Sequence, residues 1–163
     1  MAIDVGERLP EGTLLRRDGS ENNEVRTSDL FSGRRVVIFG VPGAFTGTCS
    51  TAHVPSYMRV MAPLTARGVD EVVCLSVNDP WVMQAWGEAT GAAMAGITLL
   101  ADPSGDWVEA LGQGFTAPAA GFFRRCRRFS ALVEDGVVKI WQEEAGPGVC
   151  EATAGEAMLA AMA

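Results

Sequence analysis

A chain of 163 residues, 48% of them hydrophobic and 20% charged, has the apolar side chains to bury a core as one domain spanning 1–163, which excludes a disordered segment or a miniprotein dependent on disulfides. Twenty acidic against thirteen basic residues give a net charge of -7, which argues against a nucleic-acid binder, whose affinity rests on a basic face. No apolar run reaches the roughly 20 residues that span a bilayer, so no membrane association is expected.

In chain order, TLLRRDGSENNEVRTSDLF at 13–31 predicts a hairpin around Asp18-Gly19 and a short helix near 27–31. RVVIFGV at 35–41 and EVVCLSVN at 71–78 are apolar and β-branched, as strands buried on both faces are. The 30 or so residues between them have helical character, the length of a crossover joining parallel strands. DPWVMQAWGEATG at 79–91 predicts a helix with Asp79 as N-cap, Pro80 in its first turn and a glycine at its end. ITLLADPSGDWVEALGQ predicts a short strand, a turn at 102–105 and a small helix. Asp135-Gly136, flanked by alternating apolar residues, predicts an antiparallel hairpin, and EATAGEAMLAAMA at 151–163 a terminal helix. That order describes an α/β protein with a central mixed β-sheet flanked by helices. The tryptophans at 81, 86, 107 and 141 are read as core or interface residues.

The segment VPGAFTGTCST at 41–51 follows the first core strand, where open α/β sheets place their ligand sites. Cys49 falls in the first turn of the following helix, whose unpaired N–H groups and positive dipole end stabilise a thiolate. Thr46 and Thr48 offer hydroxyls to the sulfur or to a substrate, and Gly43 and Gly47 allow a sharp turn and close approach. The plainer reading is a half-buried thiol beside an ordinary loop. The other cysteines, 74, 126 and 150, form no CxxC pair, and a single histidine cannot complete a zinc set, so no metal or cofactor is expected. The opening MAIDVGERLPEGT has no basic stretch followed by an apolar one, so a cytoplasmic location is expected.

PGAFTGTC fits Pro-x-x-x-Thr-x-x-Cys and, with CSTAHVPSY after it, resembles the active-site segment of the peroxiredoxins, in particular the fifth or type II subfamily of atypical two-cysteine members. VDEVVCLSVNDPWVMQAWG at 69–87, TLLADPSG at 98–105 and RRFSALVEDGVVK at 127–139 are similar to matching segments of that subfamily, in the same order. The resemblance implies a thioredoxin-like fold and a thiol-dependent peroxidase that reduces hydrogen peroxide and alkyl hydroperoxides. It implies that Cys49 is the peroxidatic thiol, that Thr46 holds the peroxide, that Pro42 shields the sulfenate and that Arg128 supplies the cation for the developing charge.

His53 lies four residues after Cys49, a spacing that invites a Cys-His dyad, but a supporting role for the turn is the reading taken. Pro55 predicts a kink at 52–55. Cys150 in AGPGVCEAT matches the resolving cysteine of animal-type members; Cys74 is read as a core thiol, although plant-type relatives carry a cysteine near it that is sometimes assigned as resolving, so Cys150, Cys74 and an external thiol all stay open as the resolving group, and Cys126 has no assigned role. Arg124, Arg125 and Arg127 are read as surface charge. The common family pattern has proline where this chain has Gly47, which should give the loop more freedom. The resemblance further implies a homodimer and recycling by thioredoxin, glutaredoxin or glutathione. The competing reading is a peroxide sensor or relay that passes oxidation from Cys49 to a partner protein; a general disulfide oxidoreductase is disfavoured by the missing CxxC.

Overall fold

The computed structural model describes residues 3–146 and 148–163. Its elements run β1 (Thr13–Asp18), β2 (Glu21–Arg26), α1 (Thr27–Phe31), β3 (Arg35–Val41), a π-helical turn (Cys49–His53), α2 (Val54–Ala66), β4 (Glu71–Ser76), α3 (Pro80–Thr90), β5 (Thr98–Ala101), α4 (Asp106–Ala110), β6 (Gly114–Ala117), a 3-10 turn (Pro118–Ala120), β7 (Phe122–Cys126), β8 (Phe129–Glu134), β9 (Val137–Glu143) and α5 (Gly155–Ala161). Seven strands form one mixed sheet in the order β2-β1-β5-β4-β3-β8-β9. β3, β4 and β5 are parallel, whereas β8 runs antiparallel to β3 and β1 antiparallel to β5.

Alternation along β3 explains why its sequence is apolar throughout. Val37, Phe39 and Val41 join one core with Tyr57 of α2, Trp86 of α3 and Met158 of α5. Val36 and Ile38 face the opposite core with Phe31, Trp107 and Phe129. A strand with both faces covered has no solvent side to make polar. Burial of side chains such as Phe39, Tyr57 and Trp86, each fully enclosed, contributes on the order of 2–3 kcal/mol apiece. These side chains form the floor on which the end of β3 and the turn after it rest.

The predicted α/β architecture matches this arrangement, with differences in detail. Asp79 caps α3, its Oδ1 accepting from the Val82 N–H at 2.9 Å. The bend expected at 52–55 is instead a π-helical turn that begins three residues earlier, at Cys49, and in which the Val54 N–H reaches the Cys49 carbonyl. Pro55 has no N–H for the Thr51 carbonyl and would crowd it in a regular α-turn; the wider turn removes that conflict. The two-stranded ribbon β6-β7 has no counterpart in the sequence reading, because its short, half-buried strands carry no apolar period. The terminal helix begins only at Gly155. Trp86 and Trp107 are core residues, but Trp81 is 57% exposed beneath the Arg17 guanidinium.

Candidate active site

The carboxyl end of β3 delivers Pro42, and the chain then turns through Phe45, whose φ of 63° lies in the left-handed region. The sharp turn therefore falls on a phenylalanine rather than on Gly43 or Gly47. Gly43 serves close packing: a Cβ there would lie 2.7 Å from Arg125 Nη1. The Asn78 side chain just beyond β4 accepts from the Ala44 N–H at 3.0 Å and from the Ser76 hydroxyl at 2.6 Å, which ties this loop to the sheet.

Cys49 opens the π-helical turn and is 1% exposed. Arg128, between β7 and β8 and itself 3% exposed, donates from Nη2 to the Cys49 sulfur at 3.1 Å and from Nη1 to His53 Nδ1 at 2.8 Å. His53 Nε2 lies 3.1 Å from the Thr153 carbonyl. A carbonyl can only accept, so Nε2 carries the ring proton and Nδ1 is free to accept from the guanidinium. Burial first, and the Arg128 charge second, lower the His53 pKa to about 3, outweighing the opposing bond to Thr153, so the ring is neutral. It is clamped on Phe39, with ring centres 4.7 Å apart, and Phe39 in turn stacks on Tyr57 at 4.2 Å. The polar partners of the His53 ring are thus Arg128 and the Thr153 carbonyl rather than the Cys49 sulfur.

The other candidates surround this line. Thr46 donates to the Gly43 carbonyl at 2.6 Å, which leaves its hydroxyl oxygen as an acceptor. The Pro42 carbonyl accepts from Arg125 Nη1 at 3.2 Å. Arg125 is therefore a half-buried brace of the loop, packed over Phe122, and not the plain surface charge expected; Arg124 and Arg127 are exposed. The Thr48 hydroxyl donates to the Gly148 carbonyl at 3.1 Å, away from the sulfur, and so links the site to the segment that carries Cys150. No neighbouring atom lies within 4 Å of the Cβ position of Gly47. Trp86 Nε1 donates to Ser50 Oγ at 2.9 Å and anchors the π-helical turn to α3.

All four cysteines are free thiols in this structure. Cys150 is half-buried, with its sulfur 4.0 Å from Thr153 Oγ1. Cys74 and Cys126 are fully buried, and burial pushes both thiols well up, which keeps them protonated. Sequence reasoning missed Tyr57, Thr153 and Glu144; they act through backbone and carboxylate bonds that no local motif records. Chemically, the site offers one buried sulfur with a cation on it and a hydroxyl acceptor in the adjoining loop. That set can accept a two-oxygen substrate and carry the negative charge that moves onto its oxygens.

The family model described as Redoxin matches residues 4–158. The chain is 41% identical to "Peroxiredoxin-2B" of Arabidopsis thaliana over 147 residues, which cover 88% of this chain and 89% of that protein. It is 40% identical to "Peroxiredoxin-2E-2, chloroplastic" of Oryza sativa subsp. japonica, over 98% of this chain and 72% of that one. Among solved structures, reduced Prx3 in complex with hydrogen peroxide from Vibrio vulnificus superposes with a TM-score of 0.91 at 39% identity, covering 98% of this chain and 96% of that chain. These relatives correct the cytoplasmic location expected from the first residues: the rice protein above is named chloroplastic, and a second rice relative, 43% identical over 80% of this chain and 66% of its own length, is named mitochondrial.

Proposed function

Because the chain belongs to the redoxin family and is a peroxiredoxin, a thiol-dependent peroxidase, we propose that Cys49 is the atom at which peroxide is reduced and that Arg128, Thr46 and Pro42 form its immediate surroundings. The observation that carries this reading is the bond from Arg128 Nη2 to the Cys49 sulfur inside a buried site. The sulfur attacks the terminal oxygen of ROOH; an S–O bond forms as the O–O bond breaks, and RO⁻ leaves and takes up a proton. Cys49 is oxidised to the sulfenic acid, and the peroxide is reduced to alcohol or water. The Thr46 oxygen accepts from the peroxide O–H, while the guanidinium stabilises charge on the reacting oxygens. Pro42 covers the sulfenate against water. The hydrogen peroxide held by the Vibrio relative supports the substrate class.

Resolution falls to Cys150: its thiol attacks the sulfenic sulfur, a disulfide forms and water leaves, after which an external dithiol or glutathione restores both thiols. Thioredoxin, glutaredoxin and glutathione are the candidate reductants, with hydrogen peroxide and alkyl hydroperoxides as substrates. A homodimer is supported by three exposed apolar side chains, Phe45 and Val149 on loops and Phe123 on β7, in segments tied to one another by the Arg125–Pro42 and Thr48–Gly148 bonds. Stopped-flow reaction with hydrogen peroxide tests the central assignment. Cys49→Ser abolishes the reaction, and Arg128→Ala slows it by about 100-fold or more. Full rates in Cys49→Ser would remove the sulfur from its role. Sustained turnover with a thiol reductant separates a peroxidase from the sensor or relay, which would stop after one equivalent.

A further inference from the structure

Glu144 follows the last residue of β9 and is half-buried. Its Oε2 accepts three hydrogen bonds, from the Glu151 N–H at 2.8 Å, the Thr153 N–H at 2.7 Å and the Thr153 hydroxyl at 2.7 Å. Three donors converging on one oxygen close residues 151–153 into a turn and explain why α5 starts only at Gly155. Burial pushes the Glu144 carboxyl up, but the Thr153 hydroxyl and the backbone N–H groups of Thr153, Glu151 and Ala152 outweigh it and hold the group ionised below its ordinary range.

The turn that Glu144 closes presents the Thr153 carbonyl to the interior, and Thr153 is fully buried. That carbonyl accepts from His53 Nε2 and from the Tyr57 hydroxyl, each at 3.1 Å. His53 in turn accepts from Arg128, and Arg128 donates to the Cys49 sulfur. A chain of hydrogen bonds, joined covalently within Thr153, therefore runs from one half-buried carboxylate to the sulfur. Cys150 immediately precedes this turn, with its sulfur 4.0 Å from Thr153 Oγ1. Beyond the turn the chain is held independently, because the Gly155 N–H donates to Ser56 Oγ at 2.9 Å.

We propose that Glu144 is a positioning residue for the peroxide step: its carboxylate clasps residues 151–153 so that the Thr153 carbonyl holds His53 in one tautomer and one orientation, and His53 holds Arg128 on Cys49. The proposal rests on the reading of Cys49 as the reacting sulfur. The clasp also retains the Cys150 segment in the reduced protein, so its release accelerates disulfide formation once Cys49 is oxidised. Both effects follow from one carboxylate, and they have opposite signs.

The experiment is rapid-quench oxidation with hydrogen peroxide, with Cys49 sulfenate and the 49–150 disulfide quantified by mass spectrometry in the wild type, Glu144→Ala, Glu144→Gln and Cys49→Ser. In Glu144→Ala the rate constant of sulfenate formation falls about 5- to 20-fold while the disulfide forms faster than in the wild type, a change of 1 to 2 kcal/mol being what lost buried hydrogen bonds typically cost. Glu144→Gln keeps an acceptor oxygen in the same place and recovers most of the rate. A variant that is merely less folded loses amplitude and keeps its rate constant. A wild-type rate constant in Glu144→Ala, or a glutamine variant no faster than the alanine one, overturns the proposal. Should Glu144→Ala not fold, Thr153→Val, which deletes one donor and leaves the backbone intact, is read in its place, with slowing of about 2- to 3-fold expected and an unchanged rate constant overturning the proposal. Oxidation that persists in Cys49→Ser would overturn the underlying assignment, whereas its loss there beside an unchanged Glu144→Ala would remove the clasp alone.

Discussion

Only neutral His53 in the tautomer protonated at Nε2 offers Nδ1 as an acceptor to Arg128. Protonated, His53 would have no lone pair for the guanidinium and would set two cations 2.8 Å apart in a buried site. The linkage has a definite sign. In the unfolded chain the imidazole takes a proton near 6.5, whereas in the folded protein it refuses one until about pH 3. Stability from this residue is therefore complete above pH 6.5 and is lost as pH falls towards 3. His53 is the sole histidine in the sequence, so the comparison is clean. Between pH 7 and pH 5 the wild type loses about 2 kcal/mol of unfolding free energy that His53→Gln, less stable throughout, does not lose. Denaturant titrations at the two pH values measure it, and equal losses in both proteins would refute the buried neutral ring.

Among the elements, the turn after β3 decides how the sulfur is presented. Gly47 stands in the first turn of the helix that continues through Cys49, with open space around its Cβ position. Proline is well tolerated there, because its missing N–H is one that a helix start leaves unpaired. Gly47→Pro should raise Tm by about 1–3 °C through the less flexible unfolded chain, with peroxide reactivity retained. A fall in Tm by differential scanning calorimetry would mean that Thr46 cannot adopt the extended conformation that a following proline demands. The sequence was informative at this scale wherever one residue type settles a local geometry. Asp79 and Pro80 announce α3, and the Asp135-Gly136 pair announces the β8-β9 turn, with Asp135 itself at φ 49°. It was silent on the π-helical turn, whose cause is a proline six residues after Cys49 acting on a wider hydrogen-bond step. It was silent also on the β6-β7 ribbon and on the Glu144 clasp, where contacts rather than periodicity decide.

Over the whole molecule, the residues of the site come from places far apart in the chain, and the sheet brings them together. Cys49 and His53 follow β3, Arg128 precedes its antiparallel neighbour β8, and Thr153 approaches from beyond β9. Motif spacing alone links Pro42, Thr46 and Cys49; Arg128 was reachable only through the likeness of its whole segment to a family. The side chains Phe45 and Phe123 are exposed on segments joined by the Arg125–Pro42 bond, and the proposed dimer predicts that a second copy covers them. Phe123→Glu shifts the protein towards monomer in sedimentation equilibrium, and an unchanged mass would remove Phe123 from the contact. The central claim is that one buried sulfur, held by one guanidinium, receives the oxygen. Mass mapping of the protein after a single equivalent of hydrogen peroxide tests it most directly: the account predicts oxidation at Cys49, as sulfenate or as the 49–150 disulfide, and a product that left Cys49 as the free thiol while Cys74, Cys126 or Cys150 carried the oxygen would contradict it.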